Sequence, residues 1–236
     1  MRLLLPVAVL ALAACSSAAP FATTIGILKP GDVMTVHIAA GTINAFQPAT
    51  GEPRDRFTVA ATAPAKATPA APKMRPDKRG VRVEATDPLD SLLLRVPDGV
   101  ALDVDSGAGD VHVTNIQGNA RVRAAKGNVQ IILPGYVEAQ VVTGRLSATM
   151  GALQWPGTLH FSTQSGDIEV WVNENAKFHV RMHTDNGTLF SDFDLRGSSA
   201  GSAETIDTDV NGGGEQSIDI ESKAGAIRLL KLHPEA

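Results

Sequence analysis

The sequence predicts an all-β fold, a single-domain parallel β-solenoid, β-helix-like, with coils of roughly 17–22 residues. A glycine followed by a polar or small residue and then aliphatic-x-aliphatic returns at Gly109, Gly127, Gly144, Gly166, Gly187 and Gly225, at spacings of 18, 17, 22, 21 and 38. Seven residues before each glycine stand Leu102, Ala120, Val137, Leu159, Val180 and Ile218. Five before stand Val104, Val122, Ala139, Phe161, Met182 and Ile220. Two after stand Val111, Val129, Leu146, Ile168, Leu189 and Ile227, while four after, Ser191 alone breaks the set Val113, Ile131, Ala148, Val170 and Leu229. Successive strand side chains point to opposite faces, so this alternation gives each unit two half-buried strands around a tight turn. The period is two almost throughout, and no convincing amphipathic helix follows the N-terminal apolar run.

That run extends from Leu3 to Ala14 behind Met1-Arg2. At about a dozen residues it is too short to span a bilayer and suits a signal h-region. It ends Leu12-Ala13-Ala14-Cys15, which resembles the lipobox of bacterial lipoproteins. The resemblance implies cleavage before Cys15, a diacylglycerol on its thiol and an acyl chain on its amine, an anchor that holds stably. Serine at position 16, where aspartate would retain the protein, implies export to the outer membrane under the enteric sorting rule. The expected organisation is a signal peptide over 1–14, an anchor and tether over 15–30, and the solenoid over 31–232. Cys15 is the only cysteine, so the exported chain relies on its core instead of disulfides.

Within the solenoid, Gly41 also fits the template, with Met34, Val36 and Ile38 before it and Ile43 and Ala45 after it, and marks an expected first coil. Residues 63–79 hold Pro64, Pro69, Pro72 and Pro76 among Ala, Thr, Lys and Arg, the composition of an extended, solvated loop. Strands resume at Val81–Val83 and Leu92–Val96, the latter closed by the Pro97-Asp98-Gly99 turn. The long interval after Gly187 is read as one degenerate coil with a flexible Gly/Ser insertion at 196–204, followed by Ile206–Val210 and the triplet Gly212-Gly213-Gly214.

The pattern Ser-x-x-Gly-Asp-Val-x-Val in Ser106–Val113, its looser form with Ser165-Gly166-Asp167-Ile168, and the Val96-Pro97-x-Gly99 lead-in resemble the repeat of bacterial "putative-adhesin" domains over about residues 31–232. That resemblance implies a β-solenoid carried by lipoproteins and membrane-tethered envelope proteins, largely without assigned function. It brings no catalytic residues to transfer.

Composition and motifs narrow the chemistry. Net charge is −4 with acids and bases interspersed, so the basic field that nucleic acid requires is missing. Asp207-x-Asp209-x-Asn211-Gly212 matches the first half of an EF-hand loop, but the twelfth position is Ile218 and Glu215 comes three places early, which leaves a solvated acidic turn. His179 and His183 share a strand face roughly 13 Å apart, too far to chelate one metal. His37, His112, His160 and His233 form no spaced set with them. Asp103, Asp105, Asp110, Glu138, Asp167 and Glu169 occupy positions the repeat already requires to be polar. There is no nucleophile elbow, phosphate loop or zinc motif, so no catalytic residue, metal or cofactor is assigned.

Two outward aromatics stand apart. Trp171, beside Glu169, and Phe190 in the next unit are expected to adjoin if coils stack in sequence order, forming a patch for a sugar or a protein partner. Alternatively the 196–204 insertion folds over them. The chain is therefore read as a non-catalytic envelope protein, anchored to the membrane through Cys15 and presenting a β-solenoid for adhesion or surface interaction, on the periplasmic or the surface side. The alternatives are a glycan- or peptidoglycan-binding module using Glu169, Trp171 and Phe190, and a polysaccharide-cleaving β-helix enzyme. The glycine register also places Asp103 beside Arg121, Arg121 beside Glu138, and Asp105 beside Arg123 on one outer face.

Overall fold

The computed structural model describes residues 21–233 except 65 and 66; the expected signal peptide and Cys15 lie outside the described residues. In chain order, β1 (Ala22–Ile27) precedes the coil of β2 (Val33–Ile38) and β3 (Thr42–Phe46). β4 (Arg56–Thr62) and β5 (Lys73–Asp77) come next, then the coil of β6 (Gly80–Ala85) and β7 (Ser91–Arg95). Four coils follow without interruption: β8 (Ala101–Ser106) with β9 (Val111–Thr114), β10 (Ala120–Lys126) with β11 (Val129–Ile132), β12 (Val137–Thr143) with β13 (Leu146–Met150), and β14 (Thr158–Ser165) with β15 (Ile168–Asn173). The coil of β16 (Phe178–Thr184) and β17 (Leu189–Ser191) leads to β18 (Ser198–Ala200) and β19 (Ala203–Val210), and the last coil is β20 (Ser217–Ser222) with β21 (Ile227–Leu232).

The two strands of each coil enter different sheets. One sheet runs β1-β4-β7-β3-β9-β11-β13-β15-β21-β17, the other β18-β19-β16-β20-β14-β12-β10-β8-β2-β6-β5. Coil-to-coil pairing is parallel throughout, in the register set by the glycines: Leu102 opposes Ala120, which opposes Val137, and Val111 opposes Val129, which opposes Leu146. The inward columns close a continuous apolar interior, with Val104, Val122, Ile131, Leu146, Val170, Ile220 and Leu229 all at 0% exposure. Full burial of one such side chain contributes about 1.5–3 kcal/mol before entropy is counted, and the columns repeat that gain at every rung.

The glycines stack on one another. A Cβ on Gly127 would run into the Gly109 carbonyl, one on Gly144 into that of Gly127, and one on Gly166 into that of Gly144; Gly225 meets Gly166 and Gly187 meets Gly225 in the same way. This backbone contact explains why the residue returns: the turns of adjacent coils are too close for any side chain.

The order of coils departs from the order of sequence at both ends. The Gly41 coil, expected first, lies second, because β6 and β7 flank it on the outside. The Gly225 coil, last in the chain, is inserted between the Gly166 and Gly187 coils. Burial gives the reason. Ile218, Ile220, Ile227 and Leu229 of the inserted coil are wholly buried, whereas the Gly187 coil carries Ser191 at the column's one break and the short β17, which suits an end position.

Antiparallel strands cap the ends, a finding the repeat did not disclose. β4 pairs β7 and β1 pairs β4 in one sheet, and β5 pairs β6 in the other. At the far end, β19 pairs β16 and β18 pairs β19. Three segments that the repeat did not describe are thus partly ordered. The 63–79 loop contains β5, where Pro76 is tolerated because an edge strand has a side that needs no ladder donor. The stretch after Gly187 is a capping hairpin instead of a degenerate coil, and β1 occupies part of the expected tether because Ala22, Thr24 and Gly26 share a face with the inward Ala61, Val59 and Phe57.

Candidate functional site

The outer acids are engaged in holding coils together. After three of the repeat glycines the next residue reaches across to the neighbouring coil: Asp110 Oδ1 accepts from the Asn128 backbone N–H at 2.8 Å, Asn128 Oδ1 from that of Arg145 at 3.1 Å, and Asp167 Oδ1 from that of Ala226 at 2.9 Å. Each bond satisfies a backbone donor at the turn, where the ladder alone does not. The Gly-Asp pair of the repeat is therefore a stacking device.

On the neighbouring outer face, Asp103, Arg121, Glu138 and His160 lie side by side on β8, β10, β12 and β14. The column continues through Asp219, Arg181 and Asp207. Arg121 Nε donates to Glu138 Oε2 at 2.7 Å, and the Asp103–Arg121–Glu138 adjacency predicted from the glycine register holds with parallel strands. Arg123 also stands opposite Asp105 as expected, but its ion contacts are diagonal, at 3.9 Å to both Asp103 and Glu138, leaving Asp105 to His37 at 3.5 Å.

The expected ligand patch is not assembled. Glu169 and Trp171 lie together on β15, with the indole N–H donating to Glu169 Oε1 at 2.8 Å. Strand β21 intervenes before β17, so Trp171 faces Leu230 and Phe190 faces Arg228. The inserted last coil is the physical reason. Phe190, 52% exposed, instead flanks a cleft of about 340 Å³ at the capped end, with Leu195, Ile206 and Glu204 across it. Glu204 Oε2 is fixed there by the backbone N–H of Leu189 at 2.7 Å. The 196–204 insertion forms one wall and leaves the ring uncovered.

A larger cleft of about 720 Å³, missed from sequence, opens on the same end beside Leu153, Trp155, Lys177 and Glu215. Trp155 is buried, packs tilted against the Phe178 ring with centroids 5.5 Å apart, and donates its indole N–H to the Ser217 carbonyl at 3.2 Å. Buried Gln216 braces the wall by donating to the Leu153 and Lys177 carbonyls. The only local signal was the Trp155-Pro156-Gly157 turn lengthening one coil.

The half EF-hand is also resolved. Asp207 and Asp209 project from β19 onto His179 of β16, with His179 Nε2 and Nδ1 each 2.9 Å from a carboxylate oxygen. An imidazole that contacts carboxylates through both nitrogens is best satisfied as the doubly donating imidazolium. The His179 pKa is accordingly raised, chiefly by the hydrogen bond to Asp209, against the opposing desolvation, with the charge of Asp207 adding to the rise. Asn211, in the left-handed region at φ 53°, donates to the Glu174 and Ala176 carbonyls. His183 binds Thr205 and Asp185, apart from His179. Among the described residues, no group of three or more His, Cys, Asp and Glu side chains is placed to hold a metal ion. No helix among them is long and apolar enough to cross a membrane.

No curated protein matches the chain. A solved structure described as that of a "putative cell adhesion protein" from Clostridium sporogenes aligns over 89% of this chain and 99% of its own, at 12% identity and a TM-score of 0.45. The Toastrack DUF4097 family matches residues 100–230, which run from the first of the uninterrupted coils through the inserted last one. By that match, covering more than half of its length, the chain belongs to the Toastrack DUF4097 family.

Proposed function

We propose that this protein is a non-catalytic scaffold of the cell envelope, anchored through lipidated Cys15, whose rigid stack of coils presents a surface for adhesion or for another envelope component. One observation carries the reading: Asp103, Asp105, Asp110, Glu138 and Asp167, the carboxylates of the repeat columns, are matched to bases or backbone donors of neighbouring coils. Enzymatic β-helices instead gather free carboxylates in one groove to move protons. Lipobox-type Leu12-Ala13-Ala14-Cys15 supports the anchor, and Ser16 supports the outer membrane as destination. The test pairs two measurements. Mass spectrometry of the N-terminus should find acylated Cys15, and Cys15→Ala should release the protein from the membrane fraction. The purified protein should leave acidic polysaccharides uncleaved; cleavage of any of them would overturn the scaffold reading.

A second reading follows from the capped end, where exposed Phe190 and fixed Glu204 line one cleft. An aromatic face beside a carboxylate suits a sugar ring. Binding of peptidoglycan fragments that Phe190→Ala abolishes would favour it, whereas loss on Trp171→Ala alone would return the site to β15.

A further inference from the structure

We infer that the end of the stack built from β1, β4 and β5 lies directly on the phospholipid surface, with Phe21, Ile25 and Ile27 seated among the headgroups. This rests on the anchoring of Cys15 proposed above.

Of the six large apolar side chains exposed among the described residues, three cluster at one place, Ile25 and Ile27 on β1 and Phe21 just before it, while Val142, Leu153 and Phe190 stand apart. Phe21, Ile25 and Ile27 are 41%, 57% and 64% exposed, and β1 is the edge of its sheet. They alternate with Ala22, Thr24 and Gly26, which share a face with the interior side chains of β4, so all three project from the outer face. Ile27 stands opposite Arg56 and Ile25 opposite Thr58. An apolar stripe on an unpaired edge is a liability for a free protein in water, because it invites pairing with another chain.

Charge and chain length identify what covers it. Residues 21–95, which make the two outermost coils and their caps, carry ten Lys and Arg against seven Asp and Glu, while residues 96–236 carry 10 against 18. The chain is acidic as a whole, yet the end holding β1 is basic, with Lys29, Arg56, Lys73 and Arg75 all exposed. Cys15 precedes Phe21 by six residues, which span at most about 20 Å when fully extended. A lipid at Cys15 therefore holds this rung, and not the acidic capped end, against the bilayer. Apolar side chains beside basic ones are the combination that partitions into an anionic interface, and they add to a lipid chain's hold. The stack would then stand on β1 and direct the Phe190 and Trp155 clefts away from the membrane.

The test uses the chain from residue 15 onward with Cys15→Ser, so that no acyl chain contributes. It should float with vesicles of mixed phosphatidylethanolamine and phosphatidylglycerol, and more weakly with phosphatidylcholine vesicles or at high salt. Combined Phe21→Ser, Ile25→Thr and Ile27→Thr should lower vesicle affinity about tenfold or more, with Val142→Thr on the middle of the stack as the unchanged control. The same background has no other cysteine, so Ile27→Cys carrying an environment-sensitive fluorophore should shift to the blue on vesicles while Leu153→Cys should not, a readout that does not depend on the triple variant folding. Absence of vesicle binding, or of the Ile27 shift, overturns the inference even if Cys15 proves acylated. A dimer in light scattering that Ile25→Thr and Ile27→Thr dissolve, with vesicle binding untouched, overturns it in favour of a second copy on the edge. Acylation itself is read separately from the mass of the N-terminus, so failure of the anchor and failure of the contact are distinguishable.

Discussion

Replacing Gly144 with alanine places one methyl group where two coils already touch. Gly144 sits at φ 140°, and its added Cβ would penetrate the carbonyl of Gly127 on the coil beneath. Neither coil can retreat freely, since Gly144 N–H donates to Ser165 O and Gly127 N–H to Thr143 O, both at 3.0 Å. The unfavourable backbone region costs about 1–2 kcal/mol and forced overpacking about 1–3 kcal/mol. We expect a loss of about 3 kcal/mol, which for a domain of this size lowers Tm by roughly 6–12 °C. Gly157→Ala is the matched control, because its φ is 67° and nothing lies within 4 Å of an added Cβ. Only the backbone cost applies there, about 1 kcal/mol and roughly 2–4 °C. Thermal and urea unfolding followed by circular dichroism would measure both. Equal losses for the two variants would refute the argument that the glycines return because the coils are in backbone contact.

A double-mutant cycle on Arg121→Ala and Glu138→Ala should give a coupling of about 0.2–1 kcal/mol, toward the low end because both side chains reach solvent, and molar salt should diminish it. His179 has a raised folded-state pKa, so its contribution to stability is fully present below the unfolded value and is lost as pH rises through the folded value. Protection factors of the β19 amides, each corrected for the pH dependence of the intrinsic exchange rate, should therefore be higher at mildly acidic than at mildly alkaline pH, and His179→Gln should remove that difference. Ser106 is fully buried and its hydroxyl has no partner, whereas Thr163 and Thr184 at the equivalent position donate to the Gly166 and Gly225 carbonyls. Ser106→Ala should consequently be neutral or raise stability by up to about 1 kcal/mol, while Thr163→Ala should lower it by a similar amount, both read by urea unfolding.

The sequence by itself determined which side of every strand faces inward and how neighbouring coils register. Both are local matters. A strand alternates with period two, so slipping Arg121 by one residue would bury it and expose Val122, and the contact of glycine on glycine admits one alignment of the turns. The Arg121–Glu138 pairing was legible for that reason, and so was the polar role of Asp110 and Asp167, though their bonds to the backbone of the next coil were not.

Tertiary structure alone decided the order in which the coils stack. Every coil offers nearly the same glycine and the same apolar columns to a neighbour on either side, so local pattern cannot say which coil sits where. The choice falls to the ends, where an open sheet edge must be covered and the chain turns back antiparallel to cover it. Ser191 was the one local sign of an end coil. Its consequence, the Gly225 coil inserted beside it, separates Trp171 from Phe190, while β19, returning antiparallel on β16, joins His179 to Asp207 and Asp209 and walls the Phe190 cleft. Those pairings depend on strands that meet only after the C-terminal part of the chain has returned to the stack, which is why no spacing along the sequence could contain them.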